Sequence, residues 1–191
     1  MPESVKEINV GLLAYGAIGD EHSRAITAVN GLRLTAVADT NPDRLSAAKD
    51  LAPDITTFTD SLQMLDSGSL DLVVISTPPN SHYLWAKESL NRGINVILEK
   101  PMALSVAHCD ELMALAASKN LLLVVYQNRR FDADFITIKK LIDEGVIGES
   151  FPMRVLLADT PSHVHFGIQM HRSLVALFLI GAATSLIRFW Q

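Results

Sequence analysis

Short apolar runs alternate with longer stretches of helical periodicity from Ile8 to Glu149. Six runs predict strands, at Ile8–Leu13, Arg33–Ala38, Thr56–Phe58, Leu72–Ser76, Asn95–Leu98 and Leu122–Tyr126. Several are almost continuously apolar, as strands buried on both faces of a parallel sheet must be. The intervening segments predict helices over Ile18–Val29, Pro42–Leu51, Ser61–Leu65, Ser81–Asn91, Val106–Ser118 and Asp132–Asp143, with caps at Asn41, Asn80 and Ser105. Pro42 follows Asn41, and proline suits the first helical turn. Strand and helix alternating in this way predict an α/β fold, a doubly wound parallel sheet covered by helices. In the last helix Phe131, Phe135, Ile138 and Ile142 share one stripe, so it is expected to dock by that side. Gly145 and Gly148 then signal a stop and a turn, which sets a domain over residues 1–148 and leaves 149–191 outside it.

Composition narrows the partners. The 191 residues are 49% hydrophobic with a formal net charge of −5, enough for a sizeable core and without the broad positive field that gathers nucleic acid or anionic lipid. A small-molecule partner is expected, with no nucleic acid, no membrane and room for homo-oligomers. Leu174–Ile187 is apolar, but about 14 residues reach only ~21 Å against a hydrocarbon core of ~30 Å. Met1–Glu7 lacks a basic region followed by an apolar run, so a cytoplasmic location is expected. The lone Cys109 falls on an apolar helical position and is read as packing.

Candidate chemistry begins where the first strand meets the first helix. Gly16 and Gly19 stand in Ala14-Tyr15-Gly16-Ala17-Ile18-Gly19, and Asp39 ends the next predicted strand twenty residues after Gly19. This is the layout of a dinucleotide-binding turn. Gly16 lets the backbone approach a pyrophosphate, the helix that follows offers free N–H groups and its positive end, and Gly19 allows close helix–strand packing. Asp39 can accept from the adenosine ribose hydroxyls and would repel a 2′-phosphate, which favours NAD over NADP, while Arg44 lies near enough to offset part of that repulsion. The fingerprint's first glycine is Ala14 here, a departure at a tight turn.

Three more loops leave the predicted carboxyl ends of strands, where open α/β sheets bind ligands. They are Thr77-Pro78-Pro79-Asn80-Ser81-His82, Glu99-Lys100-Pro101 and Gln127-Asn128-Arg129-Arg130-Phe131-Asp132. Lys100 is set in an extended conformation by Pro101 and, with partial desolvation, would suit acid/base chemistry on a hydroxyl or carbonyl, while from composition it reads equally as an ordinary surface lysine. Arg129 and Arg130 suit anions or carboxylate pairs, one of them in a structural role. The first loop also reads as a plain turn with a helix cap.

These four segments, in this order, resemble the Gfo/Idh/MocA oxidoreductases from about Ile8 to Glu149, and in particular the branch containing inositol dehydrogenases. The resemblance implies an N-terminal NAD(P)-binding Rossmann domain, a second domain built on a large open sheet, and hydride transfer at hydroxyls of sugars, inositols or related polyols. It implies that Ala14, Gly16, Ala17, Ile18 and Gly19 meet the pyrophosphate and Asp39 the ribose. Thr77, Pro78, Asn80 and His82 would line the middle of the cofactor, and Glu99 and Lys100 its nicotinamide side, with Gln127 also counted among the cofactor-binding residues. Lys100 corresponds to the family's catalytic lysine.

After Glu149 the family pattern should continue with a glycine-rich stretch and then an aspartate and histidine four residues apart, and residues 150–191 do not match it. His163, His165 and His171 have the wrong neighbours for that role, and no metal site is read from them. Residues 149–191 are therefore expected to be a remnant or foreign tail, with Ser173–Trp190 an apolar segment lacking a partner. The readings left open are a polyol dehydrogenase, a nucleotide-binding module or truncated product without turnover, and an assembly partner using its apolar faces.

Overall fold

The computed structural model describes residues 7–146, 153–158 and 165–170. Two compact units divide the chain, Met1–Tyr126 and Gln127–Gln191. The first contains β1 (Ile8–Leu13), α1 (Ala17–Ala28), β2 (Leu32–Ala38), α2 (Pro42–Leu51), β3 (Thr56–Phe58), α3 (Ser61–Leu65), β4 (Leu72–Ile75), α4 (His82–Asn91), β5 (Asn95–Leu98), α5 (Val106–Ser118) and β6 (Leu123–Val125). Every pairing is parallel, in the order β3-β2-β1-β4-β5-β6. The strand order reverses between β1 and β4, which opens a crevice at the carboxyl ends of those two strands.

Side chains that alternate along each strand feed two separate cores. Val10, Leu12, Val37 and Val74 join Ile26 of α1 and Leu45 and Ala48 of α2. Leu13, Val73, Ile75, Val96 and Leu98 join Met64 of α3, Ala86 and Leu90 of α4, and Leu112 and Ala116 of α5. The period of two in a strand sends neighbours to opposite faces, so a continuous apolar run has both faces to fill. β6 departs from the expectation. It is shorter than Leu122–Tyr126 and lies at the sheet edge, leaving Leu122 and Val124 exposed.

Local chemistry sets most boundaries. Asn41 Oδ1 accepts from the Asp43 N–H ahead of Pro42, and Ser105 Oγ accepts from His108 N–H, as expected of caps. Asn80 does not cap a helix. It sits inside a 3-10 turn, Pro79–Ser81, and Ser81 Oγ turns back to Thr77 Oγ1 and the Pro78 carbonyl. Cys109 is half-buried on α5 and takes no part in either core cluster.

The second unit holds a 3-10 turn over Asn128–Phe131, α6 (Ala133–Asp143) and an antiparallel pair, β7 (Met153–Ala158) and β8 (His165–Met170). Of the apolar stripe read from the sequence, Phe135 and Ile138 are half-buried while Phe131 and Ile142 are exposed, and the main described neighbour of α6 in this unit is the Asn128–Phe131 turn. Arg129 pairs with Asp132 at 3.0 Å, the structural arginine that was expected. The β7–β8 pair was not expected, whereas Gly148, His163, His171 and Ser173–Trp190 lie outside the described residues.

Two glycines of the first unit differ in what a side chain would meet. A Cβ on Gly19 would lie 2.3 Å from the Ala14 carbonyl oxygen, whereas one on Gly11 would meet the flexible end of Leu70 at 2.7 Å. Gly19→Ala is expected to destabilise the chain by about 2 kcal/mol and Gly11→Ala by less than about 1 kcal/mol. Urea denaturation of the two variants checks the order.

Candidate functional site

β1 ends in a reversal that its sequence makes difficult. Ala14 has φ +70°, the left-handed region that costs a residue with a Cβ roughly 1–2 kcal/mol, and this is where the nucleotide-binding fingerprint has glycine. The turn is held on three sides. Ala14 N–H donates to the Ala38 carbonyl at 2.8 Å, the Ala14 carbonyl accepts from Ser76 Oγ at 2.8 Å, and the next N–H, of Tyr15, donates to Asp39 Oδ2 at 2.7 Å. Tyr15 is buried and reaches Asp20 and Ser23 on α1 with its hydroxyl, and burial lifts its pKa above the ordinary phenol value.

α1 then starts at Gly16 with no side chain capping it. The N–H groups of a helix's first turn have no acceptor within the helix. Here they belong to Ala17, Ile18 and Gly19, with Ala17 and Ile18 exposed. A Cβ placed on Gly16 would meet nothing within 4 Å, so the space in front of this turn is open. Uncapped amides, the positive helix end and a missing side chain together fit an anionic bridge such as a pyrophosphate.

Asp39 is less free than the sequence reading assumed. Its side chain is 3% exposed, Oδ2 accepts from Tyr15 N–H, Oδ1 accepts from Asn41 N–H at 2.8 Å, and Arg44 Nη1 lies 3.4 Å from Oδ2. Its first work is to organise the turn, since both oxygens already hold backbone donors; a carboxylate has about four lone-pair sites, which leaves capacity for a hydroxyl.

His82 requires a correction. It was expected to meet the cofactor, but it is 1% exposed, with Nδ1 2.7 Å from the Pro101 carbonyl and Nε2 2.8 Å from the Thr77 carbonyl. Neither ring nitrogen is left for a ligand. The imidazole thus ties the loop after β4 to the loop after β5, while Thr77 is half-buried and Pro78 and Asn80 are exposed beside it.

The loop after β5 brings in a residue that the sequence alone did not single out, His22. Glu99 Oε1 lies 2.9 Å from Nε2 of His22 on α1, with the two side chains 12% and 7% exposed, and Glu99 Oε2 accepts from Lys100 N–H at 3.2 Å. Tyr126 closes on the His22 ring edge-on, with centroids 4.6 Å apart. Burial alone would raise the Glu99 carboxyl, but the His22 contact and the Lys100 N–H prevail and hold its pKa below the ordinary value. Gly19, His22, Ser23 and Ile26 form the buried side of α1, so a histidine at a core-facing helical position was the available signal. Lys100 is exposed, so the expected partial desolvation is absent here, and the Lys100–Pro101 bond is cis. Gln127 falls in the second unit, where its carbonyl accepts from Arg130 N–H.

Ala14→Gly is expected to stabilise the chain by up to about 1 kcal/mol, the relief of the left-handed turn exceeding the added freedom of glycine in the unfolded chain. Thermal denaturation reads the sign. For Glu99, a folded pKa below the ordinary value of 4.5 means that its pairing stabilises the chain above that value, a contribution lost as pH falls through the lowered folded one. Melting temperatures followed downward from pH 7 are expected to fall less steeply in Glu99→Gln than in the unsubstituted chain.

Comparison with known proteins agrees with this geometry. An uncharacterised oxidoreductase from Schizosaccharomyces pombe is 45% identical over 104 residues, which cover 54% of this chain and 28% of that protein. The scyllo-inositol 2-dehydrogenase (NADP(+)) IolW of Bacillus subtilis is 32% identical over 142 residues, 74% of this chain and 39% of that one. Among solved structures, scyllo-inositol dehydrogenase from Lactobacillus casei with bound NAD(H) and scyllo-inositol superposes with a TM-score of 0.73 at 29% identity, covering 78% of this chain and 45% of that one. The chain therefore spans less than half the length of these proteins. Residues 8–127 match the model of the Gfo/Idh/MocA group, described as an oxidoreductase family with an NAD-binding Rossmann fold. With its six parallel strands, its glycine turn and this match, the chain belongs to the Gfo/Idh/MocA oxidoreductase family and carries that family's NAD-binding Rossmann fold.

Proposed function

We propose that this chain holds a nicotinamide dinucleotide, NAD in preference to NADP, and serves a dehydrogenase acting on a hydroxyl of an inositol, sugar or related polyol. The observation that carries the reading is the uncapped first turn of α1 behind Gly16, with open space in front of it at the strand-order reversal. The amides of Gly16, Ala17, Ile18 and Gly19 would receive the pyrophosphate, with Ala14 keeping the turn close. Asp39 would accept from a ribose hydroxyl on its remaining lone pairs, and its charge disfavours a 2′-phosphate, a preference that Arg44 softens. Thr77, Pro78 and Asn80 would line the cofactor's middle, and Glu99 and Lys100 its nicotinamide end. The bound cofactor supplies the hydride acceptor or donor. Lys100 would hydrogen-bond the reacting oxygen and carry the proton that leaves or joins it.

A second reading, cofactor binding without turnover, draws on the exposure of Lys100, since a lysine in water is poorly oriented for proton transfer. NADH fluorescence titration of the full chain tests the shared part. Gly16→Asp supplies a good helix cap while putting a negative charge in the cradle. It is expected to keep or raise the melting temperature and to weaken NADH binding by more than about tenfold, as the loss of one charge-assisted contact implies. Unchanged NADH affinity in that variant would reject the cradle. Turnover with NAD and a panel of inositols, abolished in Lys100→Met, separates the dehydrogenase from the binding module.

A further inference from the structure

Two buried histidines meet the same three-residue turn from opposite ends. His22 reaches it from α1, with Nε2 on Glu99 Oε1, and the other Glu99 oxygen accepts the Lys100 N–H. His82 reaches it from the start of α4, with Nδ1 on the Pro101 carbonyl and Nε2 on the Thr77 carbonyl. The residue between the two grips is Lys100, whose own side chain is exposed. An exposed side chain takes its direction from its backbone, and this backbone is fixed by groups that are 6% and 1% exposed. Burial of polar side chains at this level is costly unless each is paired, so both pairings are structural commitments of the fold.

We propose that His22 and His82 are positioning residues for Lys100, gripping the Glu99-Lys100-Pro101 turn at its two ends. The inference rests on the proposed role of Lys100 for its functional meaning, but its geometry stands without a cofactor. His22 holds the Glu99 carboxylate in the orientation that receives the Lys100 amide. The edge of Tyr126 confines the His22 ring, which has little room to swing away. His82 holds the other end and links it to Thr77, so movement of the loop after β4 is passed to the turn that carries the lysine. A carboxylate beside the lysine also leaves a negative charge near the ammonium, and the two charges act on one another across the turn.

The test uses the full chain without cofactor and reads Lys100 directly. Its backbone amide is followed by hydrogen exchange and its side chain by the 13C signal of the methylated amine, assigned with Lys100→Arg. In His22→Leu the Lys100 amide is expected to exchange about tenfold faster, as loss of one hydrogen bond implies, with the amine signal displaced. The amides of Leu12 and Val73 should keep their protection. His22→Gln, whose amide still donates toward Glu99, is expected to restore both Lys100 signals. His82→Gln, able to hold one carbonyl but not both, is expected to move the amides of Lys100 and Met102 together.

Lys100 signals that stay in place in His22→Leu with the sheet intact overturn the His22 grip, as does a glutamine variant that behaves like leucine. Lys100 signals unmoved in His82→Gln overturn the other. If His22→Leu does not fold, Glu99→Gln decides the first grip: displaced Lys100 signals support it and unmoved ones reject it. NADH titration of the same samples keeps the two questions apart. A chain that fails to bind NADH while its Lys100 follows His22 and His82 loses the proposed function and keeps the positioning.

Discussion

The contact between the Ala14 carbonyl and Gly19 governs this end of the molecule. A left-handed residue directly after β1 reverses the chain and turns its carbonyl toward the first turn of α1, where only a residue without a Cβ fits. That approach sets how closely α1 lies against the sheet, and so where its free amides sit relative to the strand ends. The alanine at this position shows how the constraint is distributed. Local preference opposes the turn, yet three hydrogen bonds from β2, β4 and Asp39 surround it, so the neighbours over-determine a conformation that the residue alone would avoid.

From that turn the polar contacts run almost unbroken along the carboxyl edge of the sheet. Asp39 at the end of β2 holds Tyr15; Ser76 at the end of β4 holds Leu13 and Ala14; Thr77 passes to His82, His82 to Pro101, and Glu99 to His22, which lies on α1 again. A parallel sheet leaves its strand ends as separate loops, and past the last backbone bonds, such as Ala14 N–H to the Ala38 carbonyl, the ladder no longer ties them to one another. Buried side chains do it here. The loops are therefore less independent than loops usually are, and a displacement at one has a path to the others.

The sheet was legible in the sequence because its central strands are short apolar runs, Leu72–Ile75 being buried throughout; Ile8–Leu13, Thr56–Phe58 and Asn95–Leu98 have the same limits in both readings, as do the helices Pro42–Leu51 and Val106–Ser118. The glycine turn was legible because its residues have a backbone reason to be there. What escaped was long-range polar pairing. Nothing near His22 in the sequence points to Glu99, 77 positions away, and His82 reads as a ligand contact until its two carbonyl partners are seen. Asn80 misled for a related reason, since a capping residue type was taken for a cap although the chain first makes a 3-10 turn. The β7–β8 pair was missed because Met153–Ala158 is apolar at its end without alternation, and the alternation of Phe166, Ile168 and Met170 in His165–Met170 spans only six residues.

The same polar edge explains how a chain with a net charge of −5 can present an anion cradle. Screening confines an exposed charge to roughly 8 Å at physiological salt, so the distant acidic surface matters less than the nearest carboxylates. Two carboxylates contact the turn itself, Asp39 through the Tyr15 N–H and Asp20 through the Tyr15 hydroxyl. Neither presents a bare charge. Asp39 is covered by two backbone donors with Arg44 beside it, and Asp20 is held by Arg24 at 2.9 Å. With its acidic neighbours already compensated, the positive end of α1 faces the open space before Gly16 with its field largely intact. Uncovering Asp39 by loss of Arg44 would weaken that field without changing a single amide of the cradle.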